Sequence, residues 1–264
     1  MSNLNNQKIK VPSMLVRIYS VWFRHFKVYT RFIVSNGLPP FLDPLIFLMG
    51  IGLGLGQFVN QIDGIPYIMF LASAIIIPPA MFTSAYECSY GTFIRLEFDK
   101  VYDGMLGASI TTKDLLIGEI LFGGTKGLFF SFCVLFVISF FGLVTYPMAI
   151  FAPFIGFLTG LMFSALSLFV TSFVKTINHF SFYFTAFLTP MYFFSGVIFP
   201  LKNLPVNIRW VSDLMPLTHP VNLARAFCTN KFSFTLFFDL IYIIIFIIIF
   251  ALFAITRLKK RLVD

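Results

Sequence analysis

Four ionisable side chains stand inside stretches that are otherwise apolar: Asp43, Glu119, Lys126 and Asp239. In hydrocarbon such a group costs about 2.5 to 3.5 kcal/mol on insertion scales, so each must be hydrated, paired or used. Asp43 and Glu119 fall within about five residues of the cytoplasmic ends of their apolar runs, and Asp239 lies as close to an outer end, where the interface still wets a side chain. Lys126 is deeper. About eleven helical residues at 1.5 Å each put it some 16 Å into the membrane, facing protein or water. Glu119 and Lys126 are seven apart and share a helix face, but about 10 Å of rise forbids a direct bond between them in an ideal helix. Either they form a polar stripe toward a cavity or second subunit, or they tie helices together. Ion coupling through these four groups defines the main alternative function, an ATP-independent secondary transporter or channel.

Other chemistry is poorly supplied. His25, His179 and His219 are scattered, and no zincin or nucleophile-elbow pattern occurs, so no catalytic residue is expected and an intramembrane transferase lacks its acid/base cluster. His219 beside Pro220 reads as a cap or interfacial residue. Gly123-Gly124-Thr125-Lys126-Gly127 lacks the eight-residue phosphate-loop pattern, and the glycines at 50, 52, 54 and 56 follow no strand. Those four glycines instead permit close helix packing. Cys88, Cys133 and Cys228 are widely spaced and read as buried thiols, with no metal-site spacing. Phe187, Tyr192, Phe193 and Phe194 sit in an aromatic-rich run that either packs the fold or offers a sliding surface for sugar rings or lipid.

The elements that hold these groups are membrane helices. The 264 residues are 58% hydrophobic and 11% charged, whereas a soluble domain carries about 25% charged residues. The apolar runs are long enough to cross about 30 Å of hydrocarbon and lack the alternation of a barrel, which predicts an all-α membrane protein. Six transmembrane helices are expected, at about 38–57, 66–88, 115–141, 148–172, 179–198 and 233–256, followed by a basic tail at 257–264. Fourteen Lys and Arg residues flank the terminal side and only Lys202, Arg209, Arg225 and Lys231 the other, so both termini are expected in the cytoplasm. The net charge of +8 therefore serves orientation, and no nucleic acid partner is expected.

Residues 1–37 form a cytoplasmic N-terminus with no cleavable signal pattern. Within it, Ser13 to Ser35 is a basic amphipathic helix with Ser13 as N-cap. It carries Arg17, Arg24, Lys27 and Arg31 opposite Leu15, Ile18, Tyr19, Trp22, Phe26, Tyr29 and Ile33, which suits an interfacial position in contact with lipid. Asn36, Gly37, Pro39 and Pro40 are expected to break it. The loop 89–114 mixes Phe93, Leu96, Val101, Tyr102, Met105 and Leu106 with charges, as a short helix with an apolar face for a protein partner would. Residues 199–232 are divided by prolines into two short outer-face helices, near Val206 to Leu214 and Pro220 to Phe227. With Arg209, Trp210 and Arg225 they dip into the outer membrane face or cap a cavity.

Several of these stretches resemble one family in order and local sequence. Phe41-Leu42-Asp43-Pro44-Leu45 leading to Gly50 through Gly56 is similar to the first span of the permeases of type-2 ATP-binding-cassette exporters. Glu87 with Gly91-Thr92, then Tyr102-Asp103-Gly104-Met105-Leu106 and Leu116-Ile117-Gly118-Glu119, resembles their cytoplasmic coupling segment. Residues 190–200, PMYFFSGVIFP, with Met215-Pro216-Leu217-Thr218-His219-Pro220, resemble the subgroup that exports nodulation-type lipo-oligosaccharides. The resemblance implies a permease in the bacterial inner membrane that forms a homodimer. It implies a separate ATPase subunit that carries ATP and Mg, so that this chain binds no cofactor. It also implies a coupling loop of Arg95, Leu96, Tyr102, Asp103, Met105 and Leu106 and export of a lipid-linked oligosaccharide, polysaccharide or other amphipathic substrate between the two copies.

Overall fold

The computed structural model describes residues 12–263 except Gln57, Asn60, Asp63 and Leu204; Lys8 and Lys10, counted above toward orientation, lie outside the described residues. The fold is all-α. Among the described residues the strands are two, Gln61–Ile62 (β1) and Ile65–Pro66 (β2), an antiparallel hairpin turning at Gly64, where φ is +78°.

The chain begins with α1 (Met14–Arg31), whose N-cap Ser13 is extended but makes no side-chain capping bond. The helix breaks at Phe32 rather than at the predicted Asn36 to Pro40, because Pro39 and Pro40 occupy the first turn of the next helical piece, where no backbone N–H is needed. Among the described residues five segments are long and apolar enough to cross a membrane: α2 (Ile33–Gly52), α3 (Tyr67–Phe98), then after a short α4 (Val101–Leu106) the long α5 (Thr112–Phe140), α6 (Pro147–Thr171) and α10 (Thr235–Val263). Their outward faces are carpeted with side chains such as Phe132, Phe136, Ile245, Ile248 and Leu252, the surface a bilayer covers.

The expected fifth span is α7 (residues 179–194), built of two α-helical pieces around a π-helical turn at Tyr183–Leu188 and about 24 Å long. Its beginning packs Phe180 against Tyr90 and Phe93, and beyond its end the carbonyl of Ile198 accepts a 3.2 Å hydrogen bond from Tyr67. The stretch thus runs beside α3 over nearly its whole length. Two short helices follow, α8 (Val206–Leu214) and α9 (Thr218–Thr229), close to the predicted bounds.

The tightest packing joins α5 and α6, which run antiparallel. A Cβ on Gly127 would lie 2.5 Å from the Gly156 carbonyl oxygen, and one on Gly160 would lie 2.7 Å from that of Gly123. Of the glycines read as permitting close packing, Gly52 faces α3, where a Cβ would lie 3.4 Å from Ile68, while at 50, 54 and 56 a Cβ would meet nothing of this chain within 4 Å. The second departure is in α3, which continues ten residues beyond the predicted end at 88 through π-helical turns at Glu87–Gly91 and Ile94–Phe98. Residues placed in a loop are therefore part of the helix, and Arg95 comes with them.

Candidate functional site

Two sites emerge, a charge cluster at the end of the bundle that carries α4 and an aromatic groove beside it. The cluster begins with the docking of α1 on α5. Thr111 caps α5 reciprocally with Asp114, and Arg17 reaches across to Asp114 at 2.7 Å. One turn on, Gly118 admits Val21, whose Cβ would be 2.7 Å from a Cβ there, and Trp22 Nε1 donates to Thr125 Oγ1 at 2.9 Å. The two helices run side by side in the same direction, which delivers His25 to Glu119 at 3.3 Å.

Around Glu119 four elements converge. Thr92 on α3 donates to its Oε2 at 2.7 Å, the Tyr102 hydroxyl of α4 donates to Oε1, and Arg95 Nε stands 3.2 Å from the same oxygen. Arg95 also donates to Glu87 Oε1 at 2.6 Å, while the other Glu87 oxygen accepts from Lys126 Nζ at 2.9 Å. Two carboxylates, a guanidinium and an amine alternate in a chain, so each of these buried or half-buried groups touches one of opposite sign, the condition under which ionised groups persist away from water. Gly91 makes room for it: a Cβ there would sit 3.2 Å from Arg95 Nη1 and 3.4 Å from Glu87 Oε1. Burial first, and then the adjacent Glu119 carboxylate, push the Tyr102 phenol well above its usual range, so the hydroxyl remains the donor.

This geometry changes the reading of α4. Leu96, Tyr102 and Met105, expected to face a partner protein, are buried inside the chain, and Leu106 is half-buried. The exposed side is instead Phe98, Asp99, Lys100, Asp103 and Gly104, entered through Lys100 in the left-handed region at φ 50°. The buried face has a better use for its apolar side chains within the fold, packing against Leu115, Leu116 and Leu258. Arg95, expected in the loop, belongs to the cluster.

The groove is a cavity of about 490 Å³ between α2, α3, α5 and α7, lined by Asp43, Phe47, Phe82, Tyr86, Phe130 and Tyr192. The structure brings Asp43 and Tyr192 together here. Tyr192 meets Phe47 and Phe82 with ring centroids 6.2 and 6.1 Å apart, and Tyr86 stacks on Phe184 at 4.1 Å. Phe187, Phe193 and Phe194 do not line it and are exposed on other faces of α7.

Asp239 lies apart from both. It is bonded to His219 Nδ1 at 2.6 Å, and the imidazole stacks on Tyr242 at 3.8 Å, so His219 ties α9 to α10. Arg225, expected at the outer face, is anchored within it: it donates to the Gly196 carbonyl at 2.6 Å and lies 4.0 Å above the Phe70 ring.

Sequence reasoning missed His25, Glu87 and Thr92 as members of the cluster. For Glu87 the signal was present, because it lies within the predicted second span and Arg95 follows two turns later on a similar face.

Comparison with known proteins places this geometry in a family setting. The family model described as ABC-2 type transporter matches residues 16–229. The chain is similar to Nodulation protein J of Sinorhizobium fredii (strain NBRC 101917 / NGR234), 31% identical over 78% of this chain and 79% of that protein. It is 32% identical, over the same shares, to Nodulation protein J of Rhizobium meliloti (strain 1021). Inner membrane transport permease YadH of Escherichia coli (strain K12) is 23% identical over 78% of this chain and 80% of its own length.

Proposed function

Because the chain belongs to the ABC-2 type transporter family, we propose that it is the membrane half of an ATP-driven exporter, energised by a separate ATPase subunit seated on α4. The observation that carries the coupling is the bond from Tyr102 of α4 to Glu119 of α5. A push on the exposed side of α4 reaches α5 through that bond, and reaches α3 through Arg95 and Glu87. The part of α3 that would move is bounded by the non-helical turn at Ile75 to Ile77 ahead of Pro78 and Pro79, a natural hinge because neither proline offers a backbone N–H.

Displacing the inner half of α3 would reshape the groove, whose wall includes Phe82 and Tyr86. Aromatic faces with a carboxylate at the mouth suit an amphipathic, sugar-bearing substrate: rings stack on the apolar faces of sugars, and Asp43 accepts from hydroxyls. The resemblance of residues 190–200 and 215–220 to the nodulation-type export subgroup, together with relatives named Nodulation protein J, supports a lipid-linked oligosaccharide. A homodimer in the inner membrane, with both termini cytoplasmic and the groove opening between copies, completes the reading.

The test uses sealed vesicles holding the chain with the ATPase that copurifies from its own host. Uptake of a fluorescent glycolipid into inverted vesicles should require ATP hydrolysis and survive collapse of the proton gradient. Movement of the same lipid by the solitary chain, without nucleotide, would refute the proposal.

A further inference from the structure

The four ionisable groups that stand in apolar segments differ in their partners. Glu119, Lys126 and Asp239 are each matched from within the chain, by Tyr102 and Thr92, by Glu87 and by His219. Asp43 is the exception: it is exposed, it has no hydrogen bond or ion pair among the described residues, and it lines the groove between α2, α3, α5 and α7. It stands ten residues after Ile33 and nine before Gly52, away from both ends of the apolar segment α2. A carboxylate so placed needs water or a cation beside it, and such a group in an apolar segment marks the path of the molecule that brings one.

The walls of the groove narrow the identity of that cation. No Lys, Arg or His occurs among the described residues that line it, so the chain brings no positive charge of its own to Asp43. Five rings share the groove with the carboxylate, Phe47, Phe82, Tyr86, Phe130 and Tyr192, and Tyr192 is set at 69° to Phe47 and 59° to Phe82. Apart from Thr83 the remaining wall is proline and isoleucine. A carboxylate beside aromatic faces is the pairing that recognises an ammonium group: the oxygens accept charge-assisted hydrogen bonds, and the rings attract the cation through their quadrupoles. Sugar hydroxyls alone would occupy the oxygens of Asp43 without matching its charge. A volume of about 490 Å³ with apolar walls also admits the alkyl part of the same molecule.

We propose that the groove selects a glycolipid with an unsubstituted amino sugar, the protonated amine on Asp43 and the sugar faces and alkyl chain against the rings and prolines. The inference rests on the reading of the groove as the substrate path, and it deepens that reading by naming the charged group on the substrate.

The experiment measures binding of radiolabelled octyl glucosaminide and of its N-acetyl counterpart to the full chain in phosphatidylcholine nanodiscs, in mildly acidic buffer that keeps the amine protonated and with empty nanodiscs subtracted. The amine should bind about tenfold more tightly than the amide. Asp43→Asn should erase that difference by weakening the amine alone, its unchanged hold on the amide showing that the variant is folded, and Asp43→Glu should keep the difference. Tyr192→Leu should weaken both probes, because both use the same wall. Equal affinity for the two probes, or a preference that survives Asp43→Asn, would overturn the proposal. Loss of amine binding when phosphatidylethanolamine is added to the nanodiscs would assign the groove to a membrane lipid and overturn it as well. Neither ATPase nor flux enters the measurement: the amine preference without ATP-driven uptake would sink the export reading alone, and ATP-driven uptake without the preference would sink this inference alone.

Discussion

Lys126 illustrates what a sequence discloses about a single side chain. Its depth in an apolar run announces that a partner is required, and the helical rise between it and Glu119 correctly denies them a direct bond. The partner itself, Glu87, sits 39 positions away on another helix and pairs at 2.9 Å, a distance that no local spacing encodes. The pairing sets a test. Lys126→Met removes one of two cations on Glu87 and should lower stability by about 2 kcal/mol, less than the about 3 to 5 of a buried pair broken outright, because Arg95 still holds the other oxygen. Glu87→Gln should cost a similar amount, and the double variant should recover much of the summed loss. Thermal unfolding of the four chains in detergent measures the cycle, and strict additivity would mean the contact contributes nothing. Insertion should be unaffected, while transport by Lys126→Met should fall.

At the level of elements, composition and hydropathy indicated where the long apolar helices lie, although α3 runs ten residues past its expected end, but they could not say which faces meet. Gly50 through Gly56 were read only as permitting close packing, and the close seam within the chain lies where Gly123 and Gly127 of α5 meet Gly156 and Gly160 of α6. Both pairs have the same four-residue spacing, and only the partner helix tells them apart. Gly127→Leu should prevent α5 and α6 from closing, because its Cβ alone would stand 2.5 Å from a carbonyl oxygen, whereas Gly54→Leu should be tolerated. The yield of monodisperse protein after solubilisation reports both. The amphipathicity of α4 was equally legible and equally mute about direction: its apolar side turned inward, onto α5 and α10. Two variants separate its faces. Tyr102→Phe keeps the packing and deletes the bond to Glu119, so the ATPase should still copurify while substrate-stimulated hydrolysis falls about tenfold, the effect of about 1.4 kcal/mol. Asp103→Lys, on the exposed side, should instead weaken copurification itself.

For the whole molecule the open quantity is the number of crossings, since the segment 179–194 is shorter than the other spans. Helix directions constrain it. Arg261 near the end of α10 donates to the carbonyls of Thr171 and Val174 at the end of α6, at 2.6 and 2.8 Å, so α6 and α10 finish at the same face. The chain therefore leaves α6 at that face and enters α10 at the opposite one, which demands an odd number of crossings between residues 172 and 234. Among the described residues of that stretch α7 alone spans from Phe93 to Tyr67 along α3, while α9 stays near the start of α10 by its contacts with Gly196 and Asp239, and α8 by the bond from Tyr242 to the Leu214 carbonyl. One crossing satisfies the parity and would give six in total, with the turns and bends of residues 195–200 continuing the path beyond the helix. The prediction is made on exposed positions: a membrane-impermeant thiol reagent added to intact cells should label Lys202→Cys and Lys231→Cys, and should reach Lys100→Cys and Lys175→Cys only after permeabilisation. The native thiols Cys88, Cys133 and Cys228 are buried and contribute little background. Labelling of positions 175 and 202 from one side would reduce the count to five and put the C-terminal tail across the membrane from α4, a topology in which Arg261 could not also pair with Glu97 at 2.8 Å.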